Sequence, residues 1–126
     1  MIESNFKKYS PLEKLNVSRE TFPVLEEFRS LLVNENQKIN LISKSTIKDS
    51  INRHILDSAQ IIDIIDKNSK SCIDLGSGSG LPGIVLAIIF KKKGSKIKFE
   101  LYEKSQKKSN FLQKMINHFE LNAEVK

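Results

Sequence analysis

Apolar side chains recur every three or four residues over positions 18–39, the spacing of one face of an α-helix. The positions that form this stripe are Phe22, Leu25, Phe28, Leu31, Leu32 and Ile39. Ser18 stands before the stripe and is expected to be the N-cap of the helix. A second stripe predicts a helix over about 47–65, with an inner side made by Ile51, Ile55, Ala59, Ile62 and Ile65. We therefore expect residues 1–70 to form a helical block.

After residue 70 the apolar runs become short and are separated by glycine or polar turns. The predicted elements are strands at 71–75, 96–103 and 123–126 and helices at 81–93 and 105–121. Pro82 suits the first turn of the first of these helices, and Gly94 is expected to end it. Strands that alternate with helices are typical of a parallel α/β fold. We therefore expect residues 71–126 to be the first part of an α/β core that forms one domain with the helical block.

The turn after the first predicted strand reads IDLGSGSGLPG (73–83) and fits two different cofactor fingerprints. Its last three glycines satisfy G-x-G-x-x-G, the signature of dinucleotide-binding enzymes. Asp74 with Gly76, Gly78 and Gly80 satisfies D-x-G-x-G-x-G, the loop of S-adenosylmethionine methyltransferases. Both loops let backbone N–H groups approach a ligand at a helix N-terminus. Both also use an acid at the end of the second strand for ribose hydroxyls, so Glu103 fits either cofactor.

Three features favour the methyltransferase interpretation. Asp74 lies inside the predicted strand, where a dinucleotide domain is usually apolar. Pro82 lacks the N–H that a dinucleotide loop offers beside the diphosphate. The helical block precedes the first strand, whereas dinucleotide domains often begin near that strand. We therefore predict an S-adenosylmethionine site formed by Asp74, Gly76, Gly78, Gly80, Leu81 and Glu103. A dinucleotide-binding oxidoreductase domain remains the alternative that the loop alone permits.

Five blocks of the sequence follow one another in the order and spacing of a known family. They are LLVNENQKINLIS (31–43), HILDS (54–58), the loop from Asp74 through Gly83, the acid Glu103, and Lys107, Lys108, Phe111 and Leu112. On these blocks the sequence resembles the RsmG/GidB family of bacterial 16S ribosomal RNA guanine-N7 methyltransferases, over roughly residues 25–126. The glycine loop followed by Leu-Pro-Gly is more specific than a glycine pattern alone.

The resemblance implies the Rossmann-like fold of S-adenosylmethionine-dependent methyltransferases, preceded by the N-terminal helical block. Family members are longer, and this chain corresponds to about the first three fifths of their length. The implied fold is therefore truncated here, and the resemblance leaves open whether the native chain continues past Lys126. A non-catalytic fragment or remnant of such an enzyme is accordingly a second alternative.

The implied reaction is methylation of N7 of a guanine in 16S rRNA. Guanine N7 has an exposed lone pair and no proton at neutral pH, so we expect no catalytic acid or base. Catalysis is then expected to depend on alignment of the reacting atoms. Lys107 and Lys108 either bind RNA phosphates or cofactor-edge groups, or lie on a solvated helix face.

Composition and charge bear on the partner. Charged residues make up 29% of the chain and hydrophobic residues 39%, as in ordinary globular proteins. With neither a secretory signal nor a membrane-spanning apolar run, a cytoplasmic protein is expected. The net charge of +6 falls entirely in residues 91–126, which hold 10 lysines against 4 glutamates. This segment indicates a polyanionic partner such as 16S rRNA or the small ribosomal subunit, or else lysines that fill solvated positions.

The remaining titratable residues predict little further chemistry. We expect Cys72 to be a small buried hydrophobic residue and His118 to lie alone on the surface. His54 and Asp57 stand three apart on one helix, where a structural hydrogen-bonded pair is favoured over a functional polar patch. No spacing of His, Cys and carboxylates is typical of a metal site, so no metal is expected. The last strand leaves an exposed sheet edge, at which self-association is conceivable.

Overall fold

The computed structural model describes residues 6–66, 68–76 and 78–126 and has an α/β architecture. Its sheet contains β1 (Ser71–Leu75), β2 (Lys98–Tyr102) and β3 (Ala123–Val125), in the order β1-β2-β3. Both neighbouring pairs are parallel. The predicted strands and the parallel α/β pattern are therefore confirmed. In the described part of the chain no helix is long and apolar enough to cross a membrane.

Three regular helices accompany the sheet, and their bounds differ from the predicted ones at several ends. They are α1 (Phe22–Glu35), α2 (Gly83–Lys92) and α3 (Gln106–Phe119). α2 begins directly after Pro82, which is its N-cap residue rather than part of its first turn. α3 starts after Ser105, whose hydroxyl accepts a hydrogen bond from the backbone N–H of Lys108. This N-cap anchors the start of α3.

The prediction of a single helix over 18–39 was too long at both ends. Ser18 precedes a short 3₁₀ turn, Arg19–Thr21, and its hydroxyl lies 2.9 Å from that of Thr21 instead of capping α1. At the other end, Oδ1 of Asn36 accepts hydrogen bonds from the backbone N–H groups of Leu41 (2.7 Å) and Ile42 (2.9 Å). An asparagine side chain that binds the backbone ahead of it competes with helix formation. The turn at 36–42 therefore replaces the last predicted helical turn.

The helix predicted over 47–65 is shorter and is not a single α-helix. It consists of a π-helical turn (Ile51–Leu56), one α-helical turn (Asp57–Ala59) and a 3₁₀ segment (Gln60–Ile64), together called the composite helix below. The hydroxyl of Ser58 donates to the carbonyl of His54 at 2.5 Å within it. The three kinds of turn still bury Ile55, Ala59 and Ile62, as the apolar stripe predicted. The predicted α-helical period of the stripe was wrong.

A 3₁₀ helix over Lys7–Leu15 was not predicted. It contains Pro11, and its apolar residues Tyr9, Leu12 and Leu15 recur every three residues, the period of a 3₁₀ helix. Tyr9 and Leu12 are completely buried. The segment therefore adds to a core that includes residues of both the helical block and the sheet.

The two faces of the sheet differ in exposure, because helices cover only one of them. On the covered face α2 packs against β2, and the rings of Phe90 and Phe99 lie 5.8 Å apart. On the open face Ile73 is 56%, Leu75 77% and Tyr102 37% exposed. The ion pairs Lys98–Glu124 and Glu100–Lys126 cross the open face from β2 to β3 and the residue that follows it, and Lys126 also pairs with Glu124.

Candidate cofactor site

The glycine loop lies where β1 and β2 end, because parallel strands bring their carboxyl ends to one edge of a sheet. The backbone N–H of Gly76 donates to the carbonyl of Tyr102 at 2.8 Å, which ties the start of the loop to β2. Gly76, Gly78 and Gly80 all have positive φ values, of 69°, 31° and 86°. Such values favour glycine over any residue with a Cβ. The backbone conformation of the loop therefore accounts for glycine at these three positions.

Glu103 joins the end of β2 to the glycine loop. Its Oε1 accepts a 2.7 Å hydrogen bond from the N–H of Gly78, and its Oε2 accepts one of 2.9 Å from the N–H of Ser105. The N–H of Ser105 is the main cause that lowers the pKa of the Glu103 carboxyl, with Gly78 and the charge of Lys108 acting in the same direction. The backbone N–H of Lys104 acts in the same direction. The carboxylate is thus held ionised, and a carboxylate offers about four acceptor sites, more than these backbone donors use.

Asp74 holds the opposite end of the loop. Its Oδ2 accepts a 3.1 Å hydrogen bond from the N–H of Gly83, the first residue of α2. A Cβ on Gly83 would lie 2.5 Å from Cδ2 of Leu101 and 2.6 Å from Oδ2 of Asp74. The absence of a side chain at Gly83 therefore allows this close approach. The two predicted carboxylates thus hold the loop at its middle and at its end.

Gly80 brings the loop against the helical block. A Cβ there would stand 2.7 Å from Cγ1 of Ile84 and 3.2 Å from Cζ of Phe28, a residue of α1. Leu81 is half-buried and packs against the core before a cis Leu81–Pro82 peptide bond leads into α2. The contact between Phe28 and the glycine loop was not predicted. In the sequence, Phe28 is only one apolar position of the stripe over residues 18–39.

An open groove adjoins Glu103 on its other side. Its volume is about 460 Å³, and it is lined by Leu75, Gly76, Tyr102, Glu103, Lys104 and Lys126. The groove therefore combines an apolar wall from the ends of β1 and β2 with a carboxylate at its rim. This arrangement suits a flat, partly apolar group that carries hydroxyl donors, as a nucleoside does. Of this lining, Gly76 and Glu103 were predicted as site residues, whereas Leu75, Tyr102, Lys104 and Lys126 were not.

The two adjacent lysines of α3 occupy different environments. Lys108 is half-buried, and its Cδ would lie 3.6 Å from a Cβ on Gly78. Lys107 is exposed. Of the two lysines, only Lys108 therefore lies beside the glycine loop. The sequence pattern did not distinguish between them.

The basic segment 91–126 does not form one surface. α2 runs away from the glycine loop, so the lysines at its end lie at the far end of the sheet. There Nζ of Lys91 donates to the carbonyl of Phe119, and Nζ of Lys93 donates to that of Asn16, each at 2.8 Å. These two lysines satisfy carbonyl groups at the ends of neighbouring helices, a role that requires no polyanion.

The remaining titratable residues lie apart from this loop or serve packing. His118 is exposed, as predicted, but it is not alone, because its Nε2 lies 2.5 Å from Oε2 of Glu27 in α1. Cys72 is half-buried against the core, and burial raises the pKa of its thiol. Burial also lowers the pKa of His54, while the nearby charge of Asp57 acts in the opposite direction. Among the residues that the structure describes, no group of three or more His, Cys, Asp or Glu could hold a metal ion.

Comparison with known proteins identifies the family. Residues 22–125 match the GidB family, described as rRNA small subunit methyltransferase G. Over 126 residues the chain is 48% identical to the ribosomal RNA small subunit methyltransferase G of Pelagibacter ubique, covering 98% of this chain and 59% of the relative. It is 40% identical over 116 residues to the protein of that name from Cereibacter sphaeroides, covering 92% and 56%. For the protein of Bartonella henselae the identity is 46% over 121 residues, covering 94% and 55%.

The chain belongs to the GidB family, because the family match spans most of its length. The resemblance inferred from the five sequence blocks is thereby confirmed. The chain spans less than three fifths of the length of these curated relatives.

Proposed function

We propose that this member of the GidB family forms the cofactor-binding part of a Rossmann-like methyltransferase that methylates N7 of a guanine in 16S rRNA. The observation that carries the proposal is the hydrogen bond between Glu103 and Gly78, which joins the ribose-type acid to the glycine loop. Family membership supports an rRNA methyltransferase, and the loop geometry supports a nucleoside cofactor at the carboxyl ends of the strands. The small ribosomal subunit or its rRNA is the proposed partner, which places the protein in the cytoplasm.

The described residues fit S-adenosylmethionine. Glu103 would accept hydrogen bonds from the ribose hydroxyls with its free lone pairs, and the adjoining groove would take the nucleoside. Gly78, whose φ is positive, brings its backbone N–H to Oε1 of Glu103 and so fixes the carboxylate beside the loop. Asp74 would orient the loop through Gly83. Gly76, Gly80 and Leu81 would shape the pocket around the cofactor.

When bound, S-adenosylmethionine supplies a methyl group on a positively charged sulfur, which is a strong electrophile. Guanine N7 presents a lone pair that needs no deprotonation, so the protein is not required to provide a general base. The task of this chain's residues is then to hold the two reactants in line at near-attack distance. The rigid attachment of the glycine loop to β2 and α2 serves that purpose.

Calorimetric titration with S-adenosylmethionine and, separately, with NAD tests the cofactor. Saturable binding of S-adenosylmethionine together with no detectable binding of NAD supports the proposal. Binding of NAD alone would instead favour a dinucleotide oxidoreductase domain. Methyl transfer from labelled cofactor to unmethylated small ribosomal subunits then tests the activity of the chain. Cofactor binding without any transfer would favour the non-catalytic alternative for this 126-residue chain.

A further inference from the structure

A second groove lies in the helical block and contains none of the residues of the glycine loop. It has a volume of about 310 Å³ and is lined by Lys8, Arg29, Lys48, Asp49, Ser50 and Asn52, together with Ile51. These residues come from the N-terminal 3₁₀ helix, from α1 and from the start of the composite helix. The groove is therefore formed by three segments that are distant in sequence.

Arg29 is fixed in this groove by neighbours on two sides. Its Nε and Nη2 donate to the two carboxylate oxygens of Glu26, at 2.8 Å and 2.5 Å, and its Nη1 donates to the buried hydroxyl of Ser50 at 3.0 Å. The hydroxyl of Tyr9 also donates to Glu26, at 2.6 Å. A guanidinium group has five N–H donors. These contacts use three of them, and Tyr9 also lies within hydrogen-bonding reach of the guanidinium. At least one donor is left on an arginine whose orientation is already set.

The charges around the groove favour an anion. Arg29 neutralises the carboxylate of Glu26. Hydrogen bonds from Arg29 are the main cause that lowers the pKa of Glu26. On the rim, Oδ1 of Asp49 accepts a 2.8 Å hydrogen bond from Nδ2 of Asn52. Lys8 and Lys48 are both exposed at the groove and can turn their ammonium groups toward it. The three positive groups of Lys8, Arg29 and Lys48 thus exceed the two carboxylates of Glu26 and Asp49 around the cavity by one charge.

We infer that this groove binds a phosphate group of an RNA backbone. Arginine in a fixed orientation offers paired donors to phosphate oxygens, and lysines add charge without demanding a defined geometry. The volume and openness of the cavity suit a phosphodiester that enters from solvent. The inference rests on the proposed function insofar as that function provides an RNA substrate. It adds a second contact surface, on the helical block, for the same RNA.

The test compares two double variants of the whole chain. Lys8→Gln/Lys48→Gln removes the two rim charges, and Lys14→Gln/Lys38→Gln removes two exposed lysines of the same helical block that do not line the groove. Affinity for a short single-stranded RNA taken from small-subunit rRNA is measured by fluorescence anisotropy at several salt concentrations. The groove variant is expected to lower the slope of log affinity against log salt concentration by up to about 0.7, since one phosphate contact contributes about 0.7 for single strands. The control variant should keep the slope of the unmodified chain.

Equal slopes for the groove variant and the unmodified chain, or an equal loss in the control variant, would overturn the inference. So would an unmodified chain that binds no RNA. A parallel titration with inorganic phosphate distinguishes a free phosphate ion from an RNA phosphate as the ligand. If inorganic phosphate binds in the groove and RNA does not bind, the assignment to RNA is overturned. Titration of both variants with S-adenosylmethionine separates the two proposals. If no cofactor binds while RNA binding still depends on Lys8 and Lys48, the proposed function fails and the groove stands.

Discussion

The backbone N–H of Gly78 donates a 2.7 Å hydrogen bond to Oε1 of Glu103, a residue 25 positions later in the chain. This bond joins the glycine loop to the end of β2. Glu103 therefore has a structural role in addition to the proposed contact with ribose hydroxyls. Experiments on this residue need to separate the two roles.

Replacing Glu103 with alanine is expected to weaken S-adenosylmethionine binding by on the order of 1–3 kcal/mol, because charge-assisted hydrogen bonds to the ribose are lost. Glu103→Gln should have an intermediate effect, since one amide oxygen replaces two carboxylate oxygens. Calorimetry gives the dissociation constants, and urea unfolding without ligand reports the structural role separately.

Glu13→Ala is the control for that measurement, because Glu13 lies in the N-terminal 3₁₀ helix and forms an ion pair with Arg19 rather than with the loop. Its dissociation constant should equal that of the unmodified chain. An unchanged constant in Glu103→Ala would refute the cofactor role of Glu103 and leave only its structural one.

Three glycine substitutions should differ in cost for different physical reasons. Gly80→Ala combines a positive φ of 86° with a Cβ placed 2.7 Å from Ile84, and should be the most destabilising. Gly83→Ala adds only steric overlap with Leu101 and Asp74, which typically costs about 1–3 kcal/mol. Gly94→Ala meets no atom within 4 Å and is opposed only by its φ of 75°. If urea unfolding showed that Gly94→Ala destabilises the protein more than Gly80→Ala does, the result would contradict this packing.

Lys108→Gln and Lys107→Gln should have different effects on the pKa of the Glu103 carboxyl. Removal of the Lys108 charge is expected to raise the pKa of the Glu103 carboxyl, because the ionised form loses a nearby positive charge. Lys107→Gln should leave that pKa unchanged. NMR titration of the Glu103 side-chain carboxyl measures both. Equal shifts in the two variants would show that Lys108 has no special position beside the loop.

The stability that Glu26 provides should depend on pH. Hydrogen bonds from Arg29 are the largest cause that lowers the pKa of Glu26 in the folded protein. A carboxyl with a lower pKa in the folded state stabilises the protein above the unfolded-state pKa. That contribution is lost as the pH falls through the folded-state pKa.

Glu26→Gln is therefore expected to cost about 1–2 kcal/mol at neutral pH, a value reduced because the side chain of Glu26 remains 30% exposed. The difference from the unmodified chain should shrink as the pH falls below the ordinary glutamate range. Urea unfolding at several pH values provides the comparison. A difference that stays constant in acid would mean that the charge of Glu26 contributes nothing.

Cys72 should react slowly with alkylating reagents. Burial, and secondarily the charge of Asp74, raises the pKa of its thiol and so lowers the fraction of reactive thiolate. Alkylation by iodoacetamide near pH 8 is expected to be slower in the folded protein than in urea. Equal rates in the two conditions would indicate an exposed, unperturbed thiol.

The sequence alone determined the strands, the helix that follows the glycine loop, and the family. These rest on local patterns: short apolar runs bounded by turns, glycines required at positive φ, and an ordered set of motifs. The helical block was predicted less well. Asn36 ends α1 early because its side chain binds the backbone of the following turn, and a stripe with helical spacing does not distinguish α from π or 3₁₀ turns.

Only the tertiary structure decided which side chains meet. It placed Lys108 rather than Lys107 beside the loop, paired His118 with Glu27, and brought Lys8, Arg29 and Lys48 to one groove. Such contacts join residues that are far apart in the chain, and their formation depends on how helices pack across a shared core. A periodic pattern specifies which face of an element is buried, but it does not specify the partner that the face will meet.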